Sequence, residues 1–209
     1  MTTYQTEQEN FWAGSFGNEY IDRNSGADLL AGKKLLFSKA LIRTEQFKTL
    51  IDFGSNIGFN LKVMHSLDSA VELSAIEINE KAVQELKKWG HAKVYHQSIL
   101  EFVPDYQRDF VMITGVLIHI NPDQLSKAYR ALYNTSKRYI YLCESYNPTP
   151  TEIPYRGEKG KYFKRDFAGE MMDMFPDLHL VDYGFDYHRD PRTLGGDGNW
   201  FLLEKRAKA

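Results

Sequence analysis

The sequence predicts an α/β fold, built on a mostly parallel sheet with helices on both of its faces. The main observation is an alternation: from residue 49, apolar runs of strand length and helical patterns follow one another through five strand–helix units. A glycine turn at residues 54–58 joins the first strand directly to its helix. Two further strand-like runs, at residues 178–188 and 199–205, close the chain with no helix between them.

The bulk composition fits one domain and excludes several classes of protein. The chain has 209 residues, 43% of them apolar, and a net charge of −2, so charge alone does not direct it to nucleic acid or membrane. Its single cysteine, Cys143, cannot form an internal disulfide, and the scattered histidines predict no metal site. The longest apolar run, residues 110–120, is too short to span a bilayer, and the polar N-terminus predicts no signal peptide. A cytoplasmic location is expected.

Residues 1–46 precede the alternating region. Thr6 and Glu9 have the spacing of a capping box and predict a helix start, but residues 11–24 mix large aromatics with glycines and do not read as a regular amphipathic helix. A helix is predicted at residues 27–42. The aromatic segment either packs on the body of the domain or forms a lid over a ligand. In the lid interpretation, Trp12, Phe16 and Tyr20 form walls of the ligand site, and the Arg23 guanidinium binds a carboxylate of the ligand.

The first predicted strand, residues 49–53, runs into the spacing D-x-G-x-x-x-G, formed by Asp52, Gly54 and Gly58. This is not the G-x-G-x-x-G of dinucleotide-binding proteins, and no Lys-Ser or Lys-Thr follows, which excludes a P-loop. Glycines let the turn approach a ligand closely, and the following helix points its amides at the turn. A nucleotide-like ligand is therefore expected outside the carboxyl end of this strand.

The second strand, predicted at residues 70–78, places Glu77 about 20 residues beyond the glycine turn. A carboxylate there can accept hydrogen bonds from both hydroxyls of a ribose. The alternative is a solvated charge at a strand end. Asn79 and Gly90 are the expected caps of the helix that follows.

The later strand ends carry the remaining candidates. Strand three, residues 92–96, leads to the loop 97–100, and strand four, residues 109–114, opens into Gly115–Pro122, which contains His119. His119 is either a base or substrate contact, or a histidine that only bonds to backbone. Strand five, residues 138–144, precedes a long loop rich in proline, tyrosine and basic residues. Its candidate side chains for an acidic substrate, or alternatively for a solvated basic face, are Tyr155, Arg156, Lys164 and Arg165.

Taken together, these strand-end residues resemble those of the class I S-adenosylmethionine (SAM)-dependent methyltransferases over nearly the whole chain. The resemblance implies a Rossmann-like, seven-stranded, mostly parallel sheet with an antiparallel final strand. It implies SAM as the cofactor and a division into an N-terminal helical lid (1–46), a cofactor-binding core (47–145), and a substrate loop with the closing strands (146–209). The family more often has an aspartate where Ser98 stands. The implied cofactor-binding residues are Trp12, Tyr20, Arg23, Asp52, Phe53, Gly54, Ser55, Gly58, Glu77, Ile78, Ser98, Ile99, Thr114, Gly115 and Val116.

Longer strings resemble the methylases associated with pseudaminic acid biosynthesis. They are the segments 11–24, 115–122, 146–157 and 164–170. This narrower resemblance implies a small acidic, sugar-derived acceptor similar to a nonulosonic acid. The expected partner is thus a small molecule, with no nucleic acid and no membrane; a homodimer stays open.

The implied mechanism is in-line displacement at a sulfonium methyl group, for which the protein must hold the acceptor atom in line. An alcohol or amine acceptor also needs a base, for which His119 is the first candidate and Tyr146 the second. Two alternatives stay open: a non-catalytic cofactor-binding scaffold, and a nicotinamide-dependent oxidoreductase or epimerase. The absent G-x-G-x-x-G turn disfavours the second.

Overall fold

A computed structural model describes residues 4–23, 28–192 and 196–206. Its main sheet has seven strands in the order β3-β2-β1-β4-β5-β9-β8. The pairs among β1 to β5 are parallel, whereas β9 is antiparallel to both of its neighbours. The predicted sheet is therefore confirmed, including the strand that runs against the others.

The strands follow the predicted order with small differences at their ends. Those of the main sheet are β1 Thr49–Phe53, β2 Glu72–Glu77, β3 Ala92–His96, β4 Arg108–Thr114, β5 Ser136–Glu144, β8 Leu178–Asp186 and β9 Gly198–Lys205. Two short strands, β6 (Thr151–Glu152) and β7 (Phe163–Lys164), pair within the long loop after β5. The observed β2 is shorter than the predicted run 70–78, because the Ala70 amide is turned toward the Asp68 carboxylate before the strand begins.

The helices are α1 Glu7–Ala13, α2 Ser15–Arg23, α3 Asp28–Leu41, α4 Phe59–Leu67, α5 Glu80–Trp89, α6 Leu125–Thr135 and α7 Phe167–Met174. Two 3₁₀ turns, Leu117–His119 and Pro122–Gln124, fill the connection between β4 and α6. The predicted caps of α5 are confirmed: the Asn79 side chain accepts from the Ala82 amide, and Gly90 ends the helix in the left-handed conformation. None of the described helices is long and apolar enough to cross a membrane.

The sheet separates two hydrophobic cores, because successive side chains of a strand point to opposite faces. In β1, Ile51 packs with residues of α6 and α7, whereas Leu50 packs with residues of α3, α4 and α5. Both side chains are completely buried. Burial on both faces explains why inner strands such as β1 and β4 read as continuous apolar runs rather than as alternating patterns.

The N-terminal segment differs from the expectation of an irregular region. The capping box is confirmed, since Thr6 and Glu9 bond reciprocally, but α1 is followed by a second helix, α2. Gly14 is extended and ends α1. Gly17 permits the close turn, because a Cβ there would lie 1.9 Å from the Trp12 carbonyl oxygen. The glycines therefore join two short helices, which we call the cap (α1 and α2).

Candidate functional site

The main cavity lies at the carboxyl ends of the parallel strands, beneath the cap, and has a volume of about 510 Å³. This volume is within the range of small-molecule sites, and the carboxyl edge of an open α/β sheet is where such sites form. Its lining comes from the cap, from α3 and α4, from the turn after β1, from the ends of β2, β4 and β5, and from the loop after β3. The segment after β5 adds Ser145 and Tyr162.

The turn after β1 forms part of the cavity wall. Gly54 has a φ of 76°, and the amides of Gly54 and Ser55 both donate to the Ile76 carbonyl, at 2.9 and 3.0 Å. A Cβ on Gly54 would lie 2.5 Å from a methyl group of Val116. Only glycine combines this backbone conformation with this close approach. The turn thus exposes backbone, rather than a side chain, to the cavity.

Three of the predicted motif residues lie behind this wall. Asp52 and Phe53 are completely buried and do not line the cavity; Phe53 packs edge-to-face on Phe102 at 5.6 Å. Gly58 caps α4 with a φ of 80° and faces Leu86, which a Cβ would meet at 2.6 Å. These residues shape the turn from the core side.

Asp52 is linked to the cavity through a hydrogen-bonded chain. Its Oδ2 accepts from Asn60 at 3.3 Å, and the Asn60 side-chain oxygen accepts from the Lys33 ammonium at 2.9 Å. Asn60 and Lys33 both line the cavity. Burial raises the pKa of Asp52 to about 7. Lys33, which was not among the predicted site residues, is half-buried, and desolvation lowers its pKa.

Glu77 ends β2 with its carboxylate held by backbone amides. Its Oε2 accepts from Asn56 at 2.7 Å, and its Oε1 accepts from Ile78 at 2.8 Å and from Asn79 at 2.7 Å. A carboxylate has about four acceptor positions, so one remains, on Oε2. Burial raises the pKa of Glu77, against the effect of these three amides. The alternative of a solvated strand-end charge does not agree with the structure, since Glu77 is buried and lines the cavity.

The loop after β3 meets the cap. The Ser98 hydroxyl donates to Oε1 of Glu9 and accepts from the Leu100 amide at 3.1 Å. Ser98, Glu9 and Ile99 are buried and line the cavity. The sequence predicts only one role for Glu9, in the capping box of α1. The spacing of Glu9 from Thr6 does not indicate that the Glu9 side chain reaches the loop after β3.

His119 lies at the other end of the cavity. Its Nδ1 is 2.5 Å from the Lys161 carbonyl oxygen, which accepts a hydrogen bond and so assigns the ring proton to Nδ1. Burial lowers the pKa of His119 to about 4, so the ring is neutral near pH 7 with a lone pair on Nε2. Aromatic rings surround it, with Trp12 at 4.6 Å, Tyr155 at 4.9 Å and Tyr162 at 5.6 Å.

The loop after β4 is fixed by Glu144, the last residue of β5. Its carboxylate accepts from the amides of Val116 at 3.0 Å, Leu117 at 3.1 Å and Ile118 at 3.3 Å. Burial raises the pKa of Glu144 to about 7. Sequence reasoning missed this residue, although its place at the end of a strand paired with β4 was a usable signal.

Several side chains that line the cavity have buried polar atoms with no partner among the described residues. They are Gln8 Oε1, Trp12 Nε1, Thr114 Oγ1 and Asp186 Oδ1. Buried polar groups are nearly always hydrogen-bonded, because leaving one unpaired costs about 1–3 kcal/mol. The cavity is therefore suited to a ligand with both donors and acceptors.

The structure brings most of the predicted cofactor residues together. Those that line the cavity are Trp12, Tyr20, Gly54, Ser55, Glu77, Ile78, Ser98, Ile99, Thr114, Gly115 and Val116, together with the predicted base His119. The lining also includes residues that sequence reasoning missed, among them Gln8, Glu9, Lys33, Asn56, Asn60, Asn79, Glu144 and Asp186. The side chain of Arg23 lies outside the described part of the structure.

The predicted substrate residues lie at the rim or beyond it. Tyr155 is half-buried and stacks on Tyr162, with ring centroids 5.6 Å apart, whereas Arg156 is exposed. Arg165 forms an ion pair with Glu170 at 2.7 Å, and Lys164 lies 6.0 Å from the Tyr162 ring. None of these four residues lines the cavity, and neither does the second candidate base, Tyr146, which is 39% exposed.

No protein-family model matches the chain, and no curated protein matches it in sequence. Solved structures match its fold. One is the 1,6-didemethyltoxoflavin N1-methyltransferase of Burkholderia thailandensis with bound 1,6-didemethyltoxoflavin and S-adenosylhomocysteine (SAH), with a TM-score of 0.71 and 10% identity, covering 99% of this chain and 94% of that one. Another is the magnesium protoporphyrin IX methyltransferase of Synechocystis PCC 6803 with bound SAH, with a TM-score of 0.67 and 13% identity, covering 95% and 98%.

The mitomycin 7-O-methyltransferase also matches, with a TM-score of 0.67 and 11% identity; the match covers 96% of this chain but spans only 61% of that longer protein. At these identities the comparisons establish the fold. It is the fold of the class I SAM-dependent methyltransferases, which agrees with the observed strand order and the antiparallel β9.

Proposed function

We propose that this protein binds SAM in the cavity and transfers its methyl group to a small-molecule acceptor. The observation that carries the proposal is Glu77, a buried carboxylate on the cavity wall with one acceptor position left after three backbone amides are satisfied. Proteins of the same fold have been solved with SAM or SAH bound, as in the Synechocystis enzyme.

The residues of the cavity fit such a cofactor. Glu77 would hold a ribose hydroxyl through Oε2, and Ile78 and Ile99 offer apolar surface on the side of β3. Trp12 and Tyr20 form a wall from the cap, and the backbone of Gly54 accommodates the chain that links the ribose to the amino-acid end. The unpaired atoms of Trp12 and Thr114 supply a donor and an acceptor for the polar groups of that end.

When bound, the cofactor supplies an electrophilic sulfonium methyl group, so the main work of the protein is to hold the acceptor in line with it. His119 is our proposed base, because its Nε2 carries a lone pair in the tautomer that the Lys161 carbonyl fixes. A base with a pKa of about 4 is weak, and it is best matched to an acceptor whose own proton is acidic. Tyr146, outside the cavity, is the weaker candidate.

We further propose that the acceptor is a small acidic molecule derived from a sugar. The support is the sequence resemblance of the long loop after β5, together with the charges of Arg156 and Lys164 near the aromatic rim. Tyr155 and Tyr162 stack with an interplanar angle of 6°, which gives the rim two parallel rings. Arg165 already neutralises Glu170, so it contributes less charge than the sequence alone indicates.

Titration calorimetry with SAM, SAH and NADH tests the cofactor assignment. We expect binding of SAM and SAH and none of NADH, with affinity reduced about 30-fold or more in Glu77→Ala, from loss of a hydrogen bond to a charged group and the rearrangement of its amides. Glu85→Ala, an exposed carboxylate on α5, is the matched control and should bind as the wild type does. Binding of NADH alone, or of no ligand, would reject the proposal.

Methyl transfer itself requires an acceptor. A mass-spectrometric screen for a 14-dalton gain in the presence of SAM should cover acidic sugars, their nucleotide-linked forms, and neutral counterparts. Methylation of acidic members only would support the acceptor class. Tight SAM binding with no transfer to any candidate would instead support a non-catalytic scaffold.

A further inference from the structure

We propose that Glu9, a residue of the cap, reads the exocyclic amine of the cofactor's adenine ring, so that helix α1 supplies part of the nucleobase specificity. This inference rests on the proposed function. The sequence pattern accounts for Glu9 as a member of the capping box of α1. Its contact with the loop after β3 indicates a second role.

The strand order places the adenine ring near Glu9. Along the carboxyl edge of the sheet the order is β3, β2, β1, β4, with Ser98 after β3, Glu77 at the end of β2, Gly54 after β1, and His119 after β4. With the ribose at Glu77 and the methyl group directed toward His119, the base must extend toward β3. There the Glu9 carboxylate bonds to Ser98.

The hydrogen bonds of Glu9 divide between its two oxygens. Oε2 accepts from the amide and the hydroxyl of Thr6, both at 2.9 Å, and so completes the capping box. Among the described residues, Oε1 accepts from the Ser98 hydroxyl alone. Of about four acceptor positions three are used, which leaves one on Oε1, the oxygen that meets the loop after β3. Glu9 is 6% exposed and lines the cavity, so this position is shielded from bulk water.

Ser98 is the weaker candidate for this role. Its single proton is donated to Glu9, and its oxygen accepts from the Leu100 amide at 3.1 Å, so a single hydroxyl lone pair remains. An exocyclic amine is a donor and needs an acceptor, for which a carboxylate is stronger than a hydroxyl. Ser98 therefore positions the carboxylate, and Glu9 makes the contact.

The test compares two ligands that differ at one group. SAH carries the adenine amine, whereas S-inosylhomocysteine has a carbonyl oxygen at that position, which would face the carboxylate. A site built to hydrogen-bond one group strongly rejects the analogue that lacks it. By titration calorimetry the wild type should prefer SAH about 100-fold or more, and Glu9→Ala should reduce this preference to about 10-fold or less.

Glu9→Gln gives a sharper outcome. The Thr6 amide requires an acceptor, so the glutamine oxygen should take the place of Oε2 and the amide nitrogen the place of Oε1. A donor would then face the base. The preference should reverse toward S-inosylhomocysteine, whose carbonyl accepts from it.

Two control variants separate recognition from helix capping. Thr6→Ala weakens the helix cap without removing the partner of Oε1 and should keep most of the preference for SAH. Ser98→Ala removes the positioning hydroxyl and should reduce the preference, but by less than Glu9→Ala does. An unchanged preference in Glu9→Ala and Glu9→Gln would overturn the inference, as would a loss seen in Ser98→Ala alone. Failure of the wild type to bind SAH at all is a distinct result, since it rejects the proposed function together with this inference.

Discussion

The two ends of the cavity are built in different ways. At the end formed by β1 and β2, the wall consists of strand ends and the turns that follow them, and Glu77 is held by amides of its own and the adjacent turn. On the side of β4 and β5, His119 bonds to Lys161, 42 positions away, and packs against Trp12 of the cap. The first end depends on local backbone geometry, whereas the second depends on segments that meet only in the folded chain.

The largest expected effect tests the end of the cavity formed at β1 and β2, which depends on local backbone geometry. Gly54→Val should abolish detectable SAH binding in calorimetry, because the new side chain adopts a φ of 76° only with strain and its Cβ would lie 2.5 Å from Val116. Gly90→Ala is the matched control, since Gly90 also has a positive φ, of 77°, but lies at the end of α5 away from the cavity. It should lose about 1 kcal/mol of stability and bind SAH normally. Equal loss of binding in both variants would show that folding, and not the turn, is responsible.

The next prediction tests the end of the cavity at β4 and β5, where segments distant in the chain meet. His119→Ala should leave SAH affinity within about threefold of the wild type and lower turnover with the acceptor found in the screen by about 100-fold. His119→Asn keeps a donor for the Lys161 carbonyl and should be equally slow if the ring acts as a base. Recovery of turnover in His119→Asn would instead assign the ring a positioning role. Tyr146→Phe, outside the cavity, is expected to turn over normally.

This contrast explains how much could be predicted from the sequence. The seven-stranded sheet, the turn at Gly54 and the acid at Glu77 were visible because each is encoded by residues that are close in the chain. The joining of Glu9 to Ser98, 89 positions apart, and of Lys33 to Asn60, 27 positions apart, has no such local signal. Asp52 was readable as part of the motif, but its complete burial was not, because spacing alone does not indicate which face a side chain occupies.

A smaller effect concerns the pH dependence of stability. Burial raises the pKa of Asp52 to about 7, so the folded protein keeps this carboxyl protonated between its unfolded value near 4 and pH 7. The stability that this provides is full below pH 4 and is lost as the pH rises through 7. Asp52→Asn mimics the neutral form. Its stability relative to the wild type should improve by about 2–4 kcal/mol between pH 4.5 and pH 8 in urea unfolding.

His119 acts in the opposite direction over an overlapping range. Its folded pKa of about 4 lies below the ordinary value of 6.5, so its contribution is full above pH 6.5 and is lost as the pH falls through 4. Asp52→Asn and the wild type both retain His119. Its contribution therefore cancels when their free energies of unfolding are compared. A difference in stability that does not change with pH would show that Asp52 is ionised in the folded protein.

The smallest expected effects distinguish the basic residues of the loop after β5. Arg165 pairs with Glu170, which also accepts from the Tyr129 hydroxyl at 2.6 Å, and the Arg165 side chain is only 23% exposed. Arg165→Ala should therefore lower the free energy of unfolding by about 1 kcal/mol, with little change in SAH affinity. Arg156 is exposed, so Arg156→Ala should unfold as the wild type does and should raise KM only for an acidic acceptor. If Arg165→Ala raised KM as strongly as Arg156→Ala without loss of stability, the ion pair with Glu170 would have to open when the acceptor binds, and Arg165 would belong to the acceptor site.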